Sequence, residues 1–412
     1  MSDSTLALAL RDRPAGIGVR LSLIVGLLAA GSWFAGETSG WRHGALWLVG
    51  AGLGFALYRS GIGFAGPWRT WLVERRGRGL RAQLALLAAL TVAFFPLLAL
   101  GQAVGQPLHD VVRPVGVALL VGAFLFGIGA QFAGACSSGS LAALGQGNIR
   151  YLIVGIFMML GATLGSAHAG WWDSRPRWVS FSVLREWGPL AGMAASLLLI
   201  AVLAAATRRL ERARHGRIES PAPGSSHWLR GPWSTPVGVA VIATLCVATL
   251  LLAGRPWNIV SALPLWGARL IDAAGLPFDV AFWDFWAAES RFAALEASLW
   301  TDVTTLMIVG LVLGTALAAV LSGGLRISWR IGPSDALTAA TGGLLLGYGG
   351  IVGLGCNIGA FLAGVASGSL HGWVWLLAAF AGTGVGVAIL RAARKLRGVP
   401  AAGSAARVSA GS

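Results

Sequence analysis

The sequence predicts an all-α polytopic membrane protein, and three observations carry that prediction. The 412-residue chain is 56% hydrophobic and only 11% charged, where a soluble domain carries about 25% charged residues. Its apolar residues gather in runs of roughly 17–25, long enough to cross a hydrocarbon core of about 30 Å. The runs lack the dyad alternation of a transmembrane barrel, and short arginine clusters separate them.

About ten spans are expected, at 21–37, 45–64, 82–101, 115–135, 151–171, 188–207, 236–254, 302–322, 336–355 and 373–391. Arginines decide between this count and an odd one. Arg11, Arg13 and Arg20 precede the first span, and Arg69, Arg75, Arg76, Arg78 and Arg81 follow the second. Arg150 separates the fourth from the fifth. Arg208, Arg209, Arg212, Arg214 and Arg217 follow the sixth, and Arg326 and Arg330 the eighth. Arg391, Arg394, Lys395 and Arg397 follow the tenth. With ten spans and both termini inside, all these groups lie on the cytoplasmic face, as basic loop residues do. The acidic residues Asp272, Asp284, Glu289 and Glu296 then lie outside.

The expected organisation is a cytoplasmic tail over 1–20, a first membrane half over 21–207, a cytoplasmic linker over 208–235, a second membrane half over 236–397 and a disordered tail over 398–412. The first 20 residues are polar and basic, without a small-residue cleavage site, and read as a retained tail and not a signal peptide. Ser220-Pro-Ala-Pro-Gly-Ser-Ser226 marks the linker as flexible. Segment 255–301 is long, Trp-rich and mixed, and is expected to form external or interfacial helices instead of another span. Nineteen tryptophans, many near run ends, suit interfacial belts.

The net charge of +15 does not point to nucleic acid, because no basic segment interleaves aromatics as a base-stacking platform does. Three cysteines are too few for a disulfide framework. No metal-ligand set and no cofactor motif is visible.

The most telling motif is a repeated cysteine setting. Gly127-Ile-Gly129 precedes Cys136-Ser-Ser-Gly139, and Gly347-Tyr-Gly349 precedes Cys356-Asn-Ile-Gly359 at the same interval. Both stretches are poor continuous helices, since glycine costs about 1 kcal/mol relative to alanine in a helix interior and serine competes for backbone hydrogen bonds. Broken backbone at membrane depth is tolerated where it lines a cavity or is buried in protein. Each stretch is therefore expected to form a broken or re-entrant helix. The topology gives the two copies opposite orientations, as in inverted-repeat transporters. Exposed helix N-termini attract anions, and a thiol offers a soft, weakly donating wall.

At these residues the chain resembles the YeeE/YedE family of sulfur-compound transporters. Gly347-Tyr-Gly-Gly-Ile-Val-Gly-Leu-Gly-Cys356-Asn357-Ile-Gly359, followed by Gly364-Val-Ala-Ser367-Gly-Ser369-Leu-His371-Gly-Trp373, carries the resemblance most strongly. Cys136-Ser-Ser-Gly139 looks like the first-half counterpart. The resemblance covers roughly 45–170 and 300–390. It implies an importer in the bacterial inner membrane, typically for thiosulfate, built from inverted repeats with conserved cysteines along a narrow central path. Cys136 and Cys356 match two of those cysteines. A third family cysteine falls where this chain has Ala65, within Gly61-Ile-Gly-Phe-Ala65-Gly-Pro-Trp-Arg69. That departure leaves thiosulfate and other sulfur or selenium species open as cargo. The resemblance also implies a small cytoplasmic sulfur-carrier protein as partner.

The expected path residues are Cys136, Ser137, Gly139, Cys356, Asn357, Gly359 and His371. Alternatives accompany them. Asn357 either orients a substrate oxygen or satisfies broken backbone, and His371 either lines the path or marks an interfacial helix end. Ser138, Ser367 and Ser369 either donate to an anion or cap helices. Gln131 either faces the path or bridges helices. Arg59 and Arg69 either attract anions or mark topology, and Cys246 reads as inert burial. The competing functions are a membrane thiol oxidoreductase pairing Cys136 with Cys356, and a channel or scaffold subunit of a sulfur-trafficking complex. The chain has no C-x-x-C, haem-attachment, quinone or flavin signature, which weighs against an enzyme.

Overall fold

A computed structural model describes residues 14–325 and 327–396. The expectations for 1–13 and 397–412 lie outside the described residues. Among the described residues, sixteen α-helices make up nearly all of the regular structure: α1 Pro14–Ser39, α2 Trp41–Ser60, α3 Ala65–Glu74, α4 Arg78–Leu100, α5 Val117–Ala133, α6 Ser137–Gly145, α7 Ile149–Ala167, α8 Ala169–Asp173, α9 Val183–His215, α10 Thr235–Ala253, α11 Ala262–Ala273, α12 Glu289–Glu296, α13 Val303–Leu321, α14 Pro333–Val352, α15 Ala363–Ala366 and α16 Leu370–Leu396. A two-residue hairpin joins α4 to the approach to α5. Ten stretches among the described residues are long and apolar enough to cross a membrane.

Local chemistry sets the helix ends. Gly61, Gly101, Gly134 and Gly254 close their helices in the left-handed region. Asn148 Oδ1 accepts from Arg150 N at 3.0 Å and starts α7. Asp302 Oδ2 accepts from Thr305 N at 2.7 Å and starts α13. Each side chain satisfies an N–H that the helix leaves free.

Packing sorts the helices into a centre and a rim. The stretch Pro333–Ala366 has 89% of its apolar window buried, against 11% for α1. Exposed Leu23 and Trp33 on α1, and Leu190 and Leu198 on α9, therefore form the lipid-facing surface. At the centre α5 crosses α14 so closely that a side chain at Gly122 would strike the backbone of Val352 and Gly353. Membrane helices lack a hydrophobic drive between them and associate through such close contact.

The contacts follow a symmetric pattern. Exchanging α1 with α9, α2 with α10, α3 with α11, α4 with α13, α5 with α14, α6 with α15 and α7 with α16 turns most principal contacts into others, the exception being α1–α2, whose counterpart α9–α10 does not pack comparably. Thus α2–α13 matches α4–α10, α7–α14 matches α5–α16, α6–α13 matches α4–α15, and α7–α11 matches α3–α16. The pairs α5–α14 and α2–α10 map onto themselves.

Arginine contacts bring the expected cytoplasmic loops to one face. Arg81 pairs with Glu211 at 2.5 Å, Arg76 with Glu219 at 3.9 Å and Arg150 with Asp335 at 3.3 Å. On the opposite face, Arg185 pairs with Asp110 at 2.7 Å, and His109 N donates to Gly254 O at 2.7 Å.

Three boundaries and roles differ from the sequence reading. Helix α1 already runs at Pro14, so residues 14–20 are helical and not tail. Helix α9 continues to His215, its arginine-rich end held by Glu211 against Arg81 and by His215 against Glu74 O. The rest of the linker is held and not loose. Trp233 stacks on Trp228 at 4.5 Å, and Arg59 donates to the carbonyls of Leu229, Arg230 and Ala318. Segment 255–301 adds no span among the described residues, and α11 within it buries Leu263 and Leu265 against α7 while Leu270 stays exposed.

Candidate functional site

The first cysteine sits where helical backbone stops and restarts. Helix α5 ends at Ala133, and Gly134, at φ 83°, donates to Ala130 O at 3.1 Å. Cys136 is extended and caps α6, its carbonyl accepting from Ser140 N at 2.8 Å. Its Sγ lies 3.3 Å from Ser138 Oγ. A Cβ built on Gly139 would meet that sulfur at 3.5 Å, so Gly139 leaves one side of the thiol uncrowded.

The second cysteine repeats the arrangement with more strain. Helix α14 ends at Val352. Leu354 then takes φ 62° and Gly355 φ 146°. A left-handed non-glycine residue costs of order 1–3 kcal/mol. Cys356 is extended, and its carbonyl accepts from Ala360 N at 2.8 Å and Phe361 N at 3.3 Å. That bifurcation opens a π-helical turn over Asn357–Leu362, a form concentrated at functional sites.

Both thiols are free and enclosed, with Cys136 3% and Cys356 0% exposed. They lie within electrostatic reach of each other. Ser137 Oγ, Ser140 Oγ, Asn357 Oδ1 and Trp375 Nε1 are buried without a hydrogen-bond partner. Buried polar groups are ordinarily paired, so such a group needs an explanation.

Other residues are assigned by their contacts. His371 lies in the first turn of α16 and is fully buried. Its Nδ1 is 2.7 Å from Ser369 Oγ, and Nε2 has no partner. Ser367 Oγ accepts from Val111 N at 3.0 Å. Gln131 bridges helices, donating to Ala65 O at 3.1 Å. Gln83 likewise donates to Gly63 O at 2.6 Å, so the backbone break beside Ala65 is satisfied by side chains. Arg59 is buried and spent on carbonyls. Cys246 lies in the apolar core. Gly127, Gly129, Gly347 and Gly349 pack directly on neighbouring helices, so the two G-x-G motifs are contact surfaces.

Several residues escaped the sequence reading. Asn258 Oδ1 accepts from Ile259 N at 2.7 Å and would clash with any side chain at Gly359. Tyr151 lies beneath Gly134, within electrostatic reach of Arg69, Arg150 and Cys136. A cavity of about 760 Å³ opens to the face opposite the arginine clusters, with Asn258, Leu354 and Gly355 on its wall and three arginines around it. Those arginines were the legible signal, because basic residues on that face run against the loop-charge rule.

A model of the sulphur transport family matches residues 59–385, well over half of the chain. The chain belongs to that family. It is 26% identical over 337 residues to the thiosulfate transporter TsuA of Spirochaeta thermophila, covering 79% of this chain and 92% of that protein. It is 23% identical to the Escherichia coli thiosulfate transporter TsuA, over 80% of this chain and 89% of that one. A shorter match, 26% identical over 159 residues, joins it to the probable transporter YedE of Escherichia coli, over 39% of this chain and 38% of the relative. The family is one of sulfur-compound membrane transporters and not of enzymes.

Proposed function

We propose that the chain imports a small sulfur-containing anion, thiosulfate or a related sulfur or selenium species, along a central path past Cys356 and then Cys136. The observation that carries the reading is the pair of enclosed thiols at matched backbone breaks, each with unpartnered buried polar groups alongside. The likeness to two thiosulfate transporters supports the cargo class.

The path follows from an inverted repeat. The exchange of α1–α7 with α9–α16 pairs helices that run in opposite senses under a ten-span topology with both termini cytoplasmic. This moves the division between the halves from the linker at 208–235 to residues 174–182, giving five spans to each half. The broken helices then meet at the centre, with Gly355 and Cys356 nearer the outside and Gly134 and Cys136 nearer the cytoplasm. Asn357, Ser137 and the start of each short helix supply polar contacts to an anion, and Gly139 and Gly359 leave it room. The thiols hold weakly enough to release it. Tyr151 and Arg69 stand at the inner end. Ala65 removes one thiol from the route without opening the backbone, since Gln131 and Gln83 still hold the adjoining carbonyls.

An inside-negative potential opposes anion entry by about 2.3 kcal/mol per charge per 100 mV. Consumption of the anion inside, on a sulfur-carrier protein docked at the arginine-rich face of the bacterial inner membrane, supplies the gradient.

The test is uptake of labelled thiosulfate by cells lacking their own importers. Wild-type uptake that falls at least tenfold in Cys356→Ala supports the path. Uptake unchanged by that substitution sinks it, and a membrane-inserted wild type with no uptake removes thiosulfate as the cargo.

A further inference from the structure

We propose that the external cavity is a capture site for small divalent anions, built by Arg113, Arg255 and Arg291 with the indole N–H of Trp286. All four residues line the same cavity of about 760 Å³. Arg113, Arg291 and Leu354 also line an adjoining pocket of about 160 Å³, so the two guanidiniums stand where the two spaces meet.

Three guanidinium groups line the cavity against one lining carboxylate, Asp302, so positive charge is in excess. None of the three arginines forms a salt bridge among the described residues. Arg255 donates to Thr304 Oγ1 at 3.3 Å. Arg291 donates to Phe285 O at 2.9 Å and lies over the Phe285 ring at 4.3 Å. These contacts fix the groups without neutralising them. Of the nearby acids, Asp302 accepts from Thr305 N and Oγ1 at 2.7 and 2.8 Å, and Asp173 divides its charge between Arg177, at 3.8 Å, and Arg291. Burial, and then the charge of Arg291, holds Arg113 below the ordinary arginine range. Two cations brought together in a partly enclosed space repel each other. An anion of charge −2 between them replaces that repulsion with charge-assisted hydrogen bonds.

Trp286 is a second, independent observation. It is 2% exposed, and its Nε1 has no acceptor. Indole donates only, and a buried donor without an acceptor is destabilising. Trp286 lines the cavity, and an oxyanion oxygen there is an acceptor of the right kind once the closed-off Nε1 turns toward it.

The site also explains an asymmetry. In the exchange of halves, the connection 75–77 between α3 and α4 corresponds to 274–302 between α11 and α13. The added length carries Trp286 and Arg291 and lies on the external face alone. The cavity floor, Leu354 and Gly355, directly precedes Cys356. An anion gathered there is delivered to the outer thiol, so the purpose of the site rests on the transport reading while its chemistry does not.

Calorimetric titration of the purified full chain with sodium thiosulfate and sodium sulfate tests this. The wild type is expected to bind a divalent anion, more weakly as ionic strength rises. Arg113→Gln and Arg291→Gln should each weaken binding about tenfold, with Arg113→Lys recovering part of the loss and Trp286→Phe losing less. In uptake, the glutamine variants should raise KM and leave the maximal rate within about twofold. Wild type that binds neither anion, or glutamine variants that bind as wild type does, would overturn the site. Arginine-dependent binding without thiosulfate uptake keeps the site and removes the cargo; cysteine-dependent uptake by glutamine variants of unchanged affinity removes only the site.

Discussion

Cys136 and Cys246 are almost equally enclosed, 3% and 4% exposed, yet their surroundings differ. Cys246 lies mid-helix in α10 within the apolar core. Cys136 has a serine hydroxyl at 3.3 Å, a glycine beside its sulfur and broken backbone on one side. Burial alone therefore does not separate the two thiols, and their surroundings do. Cys246→Ala is expected to keep uptake within about twofold of wild type, since a cysteine in a core behaves as a small hydrophobe. Cys136→Ala is expected to lower it at least as much as Cys356→Ala does; equal uptake by the Cys136 and Cys246 variants would remove Cys136 from the path. The sequence made this distinction legible, because Cys136 and Cys356 share a setting that Cys246 lacks. It did not reveal Asn258, whose partner Gly359 is remote in the chain.

At the scale of elements, a buried carboxylate ties three segments at the arginine-rich face. Glu211, on α9, is 0% exposed. It accepts from Arg81 Nη1 at 2.5 Å, from Gly77 N at 3.3 Å and from Glu219 N at 3.1 Å. It thereby fastens the start of α4 and the linker to the end of α9. Removing one partner of a buried pair leaves the other charge uncompensated and costs about 3–5 kcal/mol. Glu211→Ala should consequently lower the thermal midpoint of the detergent-solubilised protein well below that of a surface control such as Glu289→Ala. A midpoint shift no larger than the control's would show that the clamp contributes little. The linker composition predicted flexibility here. The tertiary contacts of Arg81, Arg59 and Trp233 override that local tendency, as packing routinely overrides propensity.

For the whole molecule, both thiols are closed off, so passage along the proposed path would require the structure to open around them. The proposed order along the path gives a directional expectation. In a Cys246→Ala background, a membrane-impermeant thiol reagent should modify Cys356 from the outside and Cys136 from the inside, faster during turnover with thiosulfate than at rest. Modification of Cys136 from the outside first would reverse the proposed orientation. Ten spans and an all-α membrane class were fixed by apolar run length and arginine spacing, because both reflect the solvent around each segment and need no knowledge of neighbours. The repeated cysteine setting was likewise local. Which helices exchange, and that Arg113, Arg255, Arg291 and Trp286 line one cavity, were decided by tertiary structure alone. Those residues lie far apart in sequence and share no period. Only the packing of α5 on α14, and of the 274–302 segment over it, brings their charges together.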